Sequence, residues 1–237
     1  MGFGLFDDES GTADTRLTPK RLEYLKACEG NPAFYFWGVD PETQKHVVNT
    51  KDAHDETSPI KPLPDWPYQK FLVKEWMRED VRKHIVDKPR QLMVSWFLVL
   101  WMDYNSLFKP YRRCLLNKAT ESEAQFMLLD RLGIVHQYWP EWFKAWAQST
   151  MTKADGVVYG RTGSSIAPTG ENVDDRAARG DQASIFGVDE AARHPRLREV
   201  VAALMPMAKQ VILVSTPEAG TPGSAYFNEI LTEGDRE

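Results

Sequence analysis

The sequence predicts an α/β fold: a mostly parallel central sheet with helices on both faces and an N-terminal elaboration. Three observations carry that reading. Two short, mostly apolar runs, Ser184-Ile-Phe-Gly-Val-Asp189-Glu190 and Gln210-Val-Ile-Leu-Val-Ser215, read as buried strands that each end in polar groups. A helical segment separates them, and the wider pattern repeats β-α-β-α, the order of a parallel sheet. The 237 residues are 42% hydrophobic and include eight Trp and eleven Phe, enough to bury a sizeable core.

Taken in order, residues 1–16 are polar and acidic and read as a flexible N-terminus. Thr18-Pro19 is an N-cap followed by proline in the first turn, which starts a helix running to Glu29. Residues 30–65 mix Phe34, Tyr35, Phe36 and Trp37 with turn residues and read as irregular or hairpin-like; together with the first helix they make the elaboration, 17–65. Residues 66–84 show helical spacing, with Phe71, Leu72, Trp76 and Val81 on the apolar side. A strand over His84–Val86, a loop over Asp87–Val94 and an apolar helix over Ser95–Phe108 follow. The strand Arg113–Leu116 leads to a helix from Thr120 to Leu132, whose Thr120 and Glu123 fit a capping box. Trp139, Trp142 and Trp146 recur at helical spacing and read as a core-packing face. Residues 151–169 read as two strands about a turn at Gly160 or Gly163, and 170–182 as a polar loop. Strand 184–189, helix 196–206, strand 210–215, loop 216–224 and a last helix complete a main domain over 66–230. Residues 231–237 read as the start of a linker or tail.

Composition narrows the function. The formal net charge of −5 argues against a domain whose main task is gripping a phosphate backbone. The basic concentration Lys70, Lys74, Arg78, Arg82, Lys83, Lys88 and Arg90 reads mostly as a solvated helix face. No apolar run approaches the roughly 18 to 20 residues needed to span a bilayer, so no membrane association is expected. Cys28 and Cys114 alone make no disulfide framework. The five histidines show no zinc-ligand spacing, and there is no G-x-S-x-G elbow.

The chemistry concentrates at strand ends. Asp189 can hold Mg²⁺ while Glu190 polarises the water that attacks a phosphate. Such a pair calls for a phosphate-binding loop earlier in the chain. The candidate is Lys88-Pro89-Arg90-Gln91-Leu92-Met93-Val94-Ser95-Trp96. Against G-x-x-x-x-G-K-[ST], Lys88 stands where the first Gly would be, Met93 replaces the second Gly and Val94 the Lys. The physical requirements are looser than the pattern: amides aimed at phosphates, a hydroxyl for the metal and a nearby positive charge. Ser95 supplies the hydroxyl, and Lys88 or Arg90 the charge. A left-handed backbone at Met93 would be a difficulty without glycine.

The set Gln69, Arg90-Gln91-x-x-x-Ser95, Val188-Asp189-Glu190-Ala191 and Ser215-Thr216-Pro217 resembles the N-terminal ATPase domain of the large terminase subunit of tailed double-stranded DNA phages, over roughly residues 65–230. The resemblance implies a P-loop NTPase of the ASCE type that uses ATP and Mg²⁺ to pump DNA into procapsids. By the same resemblance, Tyr68-Gln69 read adenine and Lys88 contacts phosphate. Arg90 senses the γ-phosphate or stabilises charge in cis, Ser95 and Asp189 hold Mg²⁺, and Glu190 activates water. Ser215, Thr216 and Pro217 form the coupling motif. Arg179 looks like an arginine inserted into a neighbour's site, with Arg176 and Arg193 as rivals. The implied partners are double-stranded DNA, the portal protein, the small terminase subunit and copies of the chain in a ring, a pentamer on the procapsid, in the host cytoplasm. No residue here reads as the family's C-terminal nuclease. The alternatives are a helicase-like nucleic-acid-dependent ATPase and a degenerate nucleotide-binding assembly module.

Overall fold

The computed structural model describes residues 14–52, 55–89, 92–153, 155–170, 182–216, 218 and 220–233. The Thr18 side chain caps α1 (Pro19–Gly30) by accepting the Arg21 N–H. α2 (Pro32–Trp37) follows, and β1 (Asn49–Lys51) pairs antiparallel with β2 (Ile60–Pro62). Next come α3 (Pro67–Trp76), β3 (Lys83–Asp87), α4 (Val94–Phe108), β4 (Arg113–Asn117) and α5 (Glu121–Gln137). α6 (Glu141–Ala147), β5 (Ser149–Thr152), β6 (Gly156–Tyr159), β7 (Ser164–Thr169) and β8 (Ala183–Asp189) lead to α7 (Leu197–Leu204), β9 (Ala208–Ser215) and α8 (Ser224–Glu233).

The main sheet has the order β3-β9-β8-β4-β7-β6-β5. Its first five strands are parallel neighbours, and β6 and β5 extend it antiparallel. β9 lies between the loop-bearing β3 and the acid-bearing β8. Parallel register brings Asp87, Ser215, Asp189, Asn117 and Thr169 to one edge, the carboxyl ends where open α/β sheets build ligand sites.

Both faces are covered, and the side chains show it by alternation. Cys114, Leu116, Ile185, Ile212 and Val214 pack into the larger core with α4 and the N-terminal segments. Leu115, Phe186, Val188, Val211 and Leu213 point the other way, toward α7 and α8. α4 is buried on nearly all sides, as its apolar composition demands. It lies close on β8 because position 187 is glycine: a Cβ there would strike Met102 Cε and come 3.0 Å from Leu98 Cδ1. That close approach sets the height of the α4 N-terminus over the end of β8.

Several expectations need correction. The helix expected over 66–84 stops at Trp76, and Phe71 is 60% exposed. Val81 lies outside it, because Lys83 pairs with Val211 and the chain must turn extended before that point. Arg78 holds the turn by reaching Glu75 at 3.1 Å and Asp80 at 2.8 Å. Residues 149–169 form three strands, not two. The extra turn is closed by Thr152 and Asp155, whose side-chain and backbone hydrogen bonds are 3.0 and 2.9 Å, followed by Gly156 at φ 76°. The expected turn at 160–163 is present, and Thr120 and Glu123 form the capping box. Trp139 and Trp142 are buried in the core; Trp146 is half-buried against Phe108 and Phe143.

One buried network ties β3 to its surroundings and makes stability depend on pH. Gln210 accepts the Trp101 indole N–H at 3.0 Å and donates to the Trp76 carbonyl at 2.7 Å. Its amide nitrogen also lies 3.1 Å from His84 Nε2, which must therefore be the unprotonated acceptor. Burial holds the His84 pKa below the ordinary histidine range, outweighing a backbone hydrogen bond at Val81. The unfolded chain then takes up a proton at higher pH than the folded one. Stability linked to His84 is intact above about pH 6.5 and is lost as pH falls below it. Thermal midpoints measured from about pH 7 to about pH 5 should fall, and His84→Gln should flatten that slope.

Candidate nucleotide site

The loop after β3 and the acidic end of β8 meet. Ser95, in the first turn of α4, donates its Oγ hydrogen to Asp189 Oδ1 at 2.6 Å. That turn also presents backbone amides without intrahelical partners, the usual anion-binding end of a helix. Asp189 is 3% exposed, and its Oδ2 receives the Lys118 ammonium at 3.3 Å. The same ammonium reaches Glu190 Oε2 at 3.1 Å. Lys118 follows β4 directly and donates its own backbone N–H to Thr169 at 3.3 Å. The start of α4 and the ends of β8 and β4 thus hold Ser95, Asp189, Glu190 and Lys118 in one cluster.

Glu190 carries the unusual backbone of the cluster. Its φ of 57° and ψ of 40° are left-handed, a conformation that costs a side-chain-bearing residue roughly 1–2 kcal/mol. The conformation breaks β8 into a short turn, Ala191–Arg193, and leaves the Glu190 side chain 46% exposed beside the buried Asp189.

Ser215 joins the two halves of the site. Its carbonyl accepts the Lys88 N–H at 3.0 Å, and its hydroxyl accepts the Ala192 N–H at 2.9 Å. The head of the loop and the turn behind Glu190 therefore hang on the end of β9. Thr216 follows, half-buried.

A cavity of about 510 Å³ opens beside the cluster, walled by Lys88, Met93, Ser95 and Trp96 on the loop side and by Trp66 and the β1–β2 hairpin on the other. Arg131 of α5 enters the same cavity, its guanidinium 5.6 Å from the centre of the Trp96 ring. Met93 has φ −31°, so this position does not need the left-handed backbone that glycine supplies. Val94 is 2% exposed and belongs to the core, Leu92 is half-buried on the cavity wall, and Pro89 is exposed.

The structure thus brings together Lys88, Ser95, Asp189, Glu190 and Ser215. Arg90, Gln91, Arg179 and Pro217, with Arg176, lie outside the described residues. Gln69 is fully buried at the start of α3, where its Oε1 accepts the Trp66 N–H at 3.4 Å and its amide lies 3.5 Å from Tyr68 Oη. Tyr68 is half-buried, and burial raises its pKa. Trp66, rather than Tyr68 or Gln69, stands on the cavity wall. Arg193, one rival of Arg179, pairs with Glu218 at 2.7 Å. Among the described residues no cluster of His, Cys, Asp and Glu has metal-binding form, and no helix is long and apolar enough to cross a membrane.

Sequence reasoning missed Lys118, Arg131 and Trp66 as site residues. Lys118 had a usable signal: it follows an apolar strand, at the carboxyl end where Asp189 was found. Arg131 had none, since within the helical pattern it reads as a surface position.

No protein-family model matches the chain, and no curated protein sequence matches it. Solved structures do. The ATPase domain of the Thermus phage P74-26 large terminase aligns with a TM-score of 0.53 at 14% identity, over 70% of this chain and 69% of that one. The large terminase of bacteriophage HK97 aligns with a TM-score of 0.56 at 10% identity, over 74% of this chain and 38% of that one. The chain has the fold of a phage large-terminase ATPase domain. The chain spans well under half of the HK97 terminase it matches.

Proposed function

We propose that this chain is an ATP-hydrolysing motor domain that drives double-stranded viral DNA into a procapsid. One observation carries the reading: the 2.6 Å hydrogen bond from Ser95 to Asp189, which joins the loop tip to the acidic strand end. The terminase-type fold supports it.

The residues fit the groups the reading requires. Ser95 and Asp189 offer hard oxygen donors of the kind Mg²⁺ takes, and a cation, the Lys118 ammonium, already bridges the two carboxylates. Mg²⁺ bound there would neutralise charge on the phosphate oxygens. Lys88, beside the cavity, would bind phosphate by its charge. Glu190 would take the proton of the attacking water, its carboxylate aimed by the left-handed backbone and tethered by Lys118. Ser215 and Thr216, with Pro217, would relay loss of the terminal phosphate.

The same proposal assigns the remaining roles. Arg90 would steady charge in cis, and Gln69 would pair with adenine after releasing the Trp66 N–H. Arg179 would act in a neighbour's site, worth ~10³ to 10⁵ in rate. That role requires a ring of copies, with DNA, the portal protein and the small terminase subunit as partners in the host cytoplasm.

Nucleotide binding tests the core of this reading without requiring the ring. Titration with a fluorescent ATP analogue should find Lys88→Ala weakened roughly tenfold or more, because a charge-assisted phosphate contact is removed. Val94→Ala should bind nearly as the parent does, its cost falling on core stability. The reverse order would mean the phosphate-side charge lies elsewhere.

A further inference from the structure

We infer that Arg131 is a nucleotide-binding residue supplied from outside the phosphate loop, and that its guanidinium contacts the terminal phosphate; this rests on the nucleotide reading above. Three features point there.

The first is an unused donor. Arg131 Nη1 is buried and has no hydrogen-bond partner among the described residues. An arginine cannot shed its proton, so a buried, unsatisfied guanidinium N–H is a standing cost. Burial lowers the Arg131 pKa while the charges of Asp189, Asp130 and Glu190 oppose that shift. None of those carboxylates bonds Nη1. Asp189 is engaged by Ser95 and Lys118, and Glu190 by Lys118. The guanidinium stands instead at the wall of the cavity it shares with Lys88 and Ser95.

The second is orientation. The Trp96 ring, one residue beyond Ser95, lies 5.6 Å from the Arg131 guanidinium carbon. A planar cation held against an aromatic ring keeps its fork of donors fixed, which suits two-pronged contact with phosphate oxygens. A lysine in its place would keep charge but lose the fork.

The third is position. Arg131 senses Asp189 and Glu190 electrostatically, the acids that mark the hydrolytic end of the site. It shares its origin with Lys118, which touches both acids: one segment, leaving β4 through Lys118 and entering α5 at the Thr120 cap, carries Lys118 to the acids and Arg131 to the cavity wall beside Ser95. A group so placed meets the last phosphate of a triphosphate and has less to meet in a diphosphate. The anion that satisfies Nη1 is therefore the terminal phosphoryl group.

The test is equilibrium titration of parent, Arg131→Gln, Arg131→Lys, Lys88→Ala and Ser95→Ala with a fluorescent non-hydrolysable ATP analogue and with the matching ADP analogue. Arg131→Gln should lose about tenfold or more in triphosphate affinity and no more than about threefold for the diphosphate. Arg131→Lys should lose less, yet keep the same order, and it carries the test alone if Arg131→Gln does not fold. No loss, or equal losses for both nucleotides, overturns the inference. If Lys88→Ala and Ser95→Ala also bind as the parent does, the nucleotide reading fails as a whole. If they are weakened and the Arg131 variants are not, only the role of Arg131 falls.

Discussion

Glu190→Gln should lower ATP turnover by ~10² to 10⁴-fold, the usual worth of a positioned general base, and leave ATP affinity almost unchanged. The amide keeps the size and the backbone conformation of Glu190 but cannot accept a proton. Its loss of the Lys118 contact should cost little stability, because the Glu190 side chain is 46% exposed and exposed ion pairs are worth ~0–1 kcal/mol. Asp189 keeps its bonds to Ser95 and Lys118. A variant that binds but does not hydrolyse is thus the expected phenotype, measured by phosphate release beside the binding titration. Turnover equal to the parent would remove the water-activating role and favour a module that only binds nucleotide. Loss of binding together with turnover would make Glu190 part of the site's architecture instead.

Asp103→Asn should destabilise the fold by ~3–5 kcal/mol. Asp103 sits in α4, is fully buried, and accepts from the Tyr35 and Tyr159 hydroxyls and from His136 Nε2 at 2.8 Å. Ser149 closes the far side of His136 at 3.0 Å, and the Trp139 ring stacks on the imidazole at 3.7 Å. Both tyrosine pKa values are driven well above ordinary, first by burial and then by the Asp103 charge. These donors converge from α2, α5 and β6 on one carboxylate. An asparagine can accept at only one oxygen and must point an N–H at another donor, and buried groups left unpaired cost ~1–3 kcal/mol each. Urea unfolding would measure the change directly. A loss under about 1 kcal/mol would mean the network relaxes around the amide.

What was legible follows the range of the physics involved. The strands ending at Asp189 and Ser215 were found within two residues because a buried parallel strand is a continuous apolar run. The Thr18 and Thr120 caps were found because capping is local. The helix overrun past Trp76 shows the opposite case: periodicity cannot detect that Lys83 is needed opposite Val211 in a ladder formed 128 residues away in sequence. Within the candidate site, Ser95 and Asp189 were legible as chemical types and their meeting followed from the strand-end rule. Arg131 acquires its role only where separate elements converge, whereas Lys118 carried a strand-end signal that was missed. Phe71 went wrong for a simpler reason, since an apolar residue at helical spacing can still face water.

Ser215 holds Lys88 by its carbonyl and Ala192 by its hydroxyl, 3.0 and 2.9 Å away. Two contacts on one residue gear the front of the pocket to its back. A sliding of either rim must either drag the other or snap a bond on this single pivot, so the pocket can change shape as a unit but resists opening from one side alone.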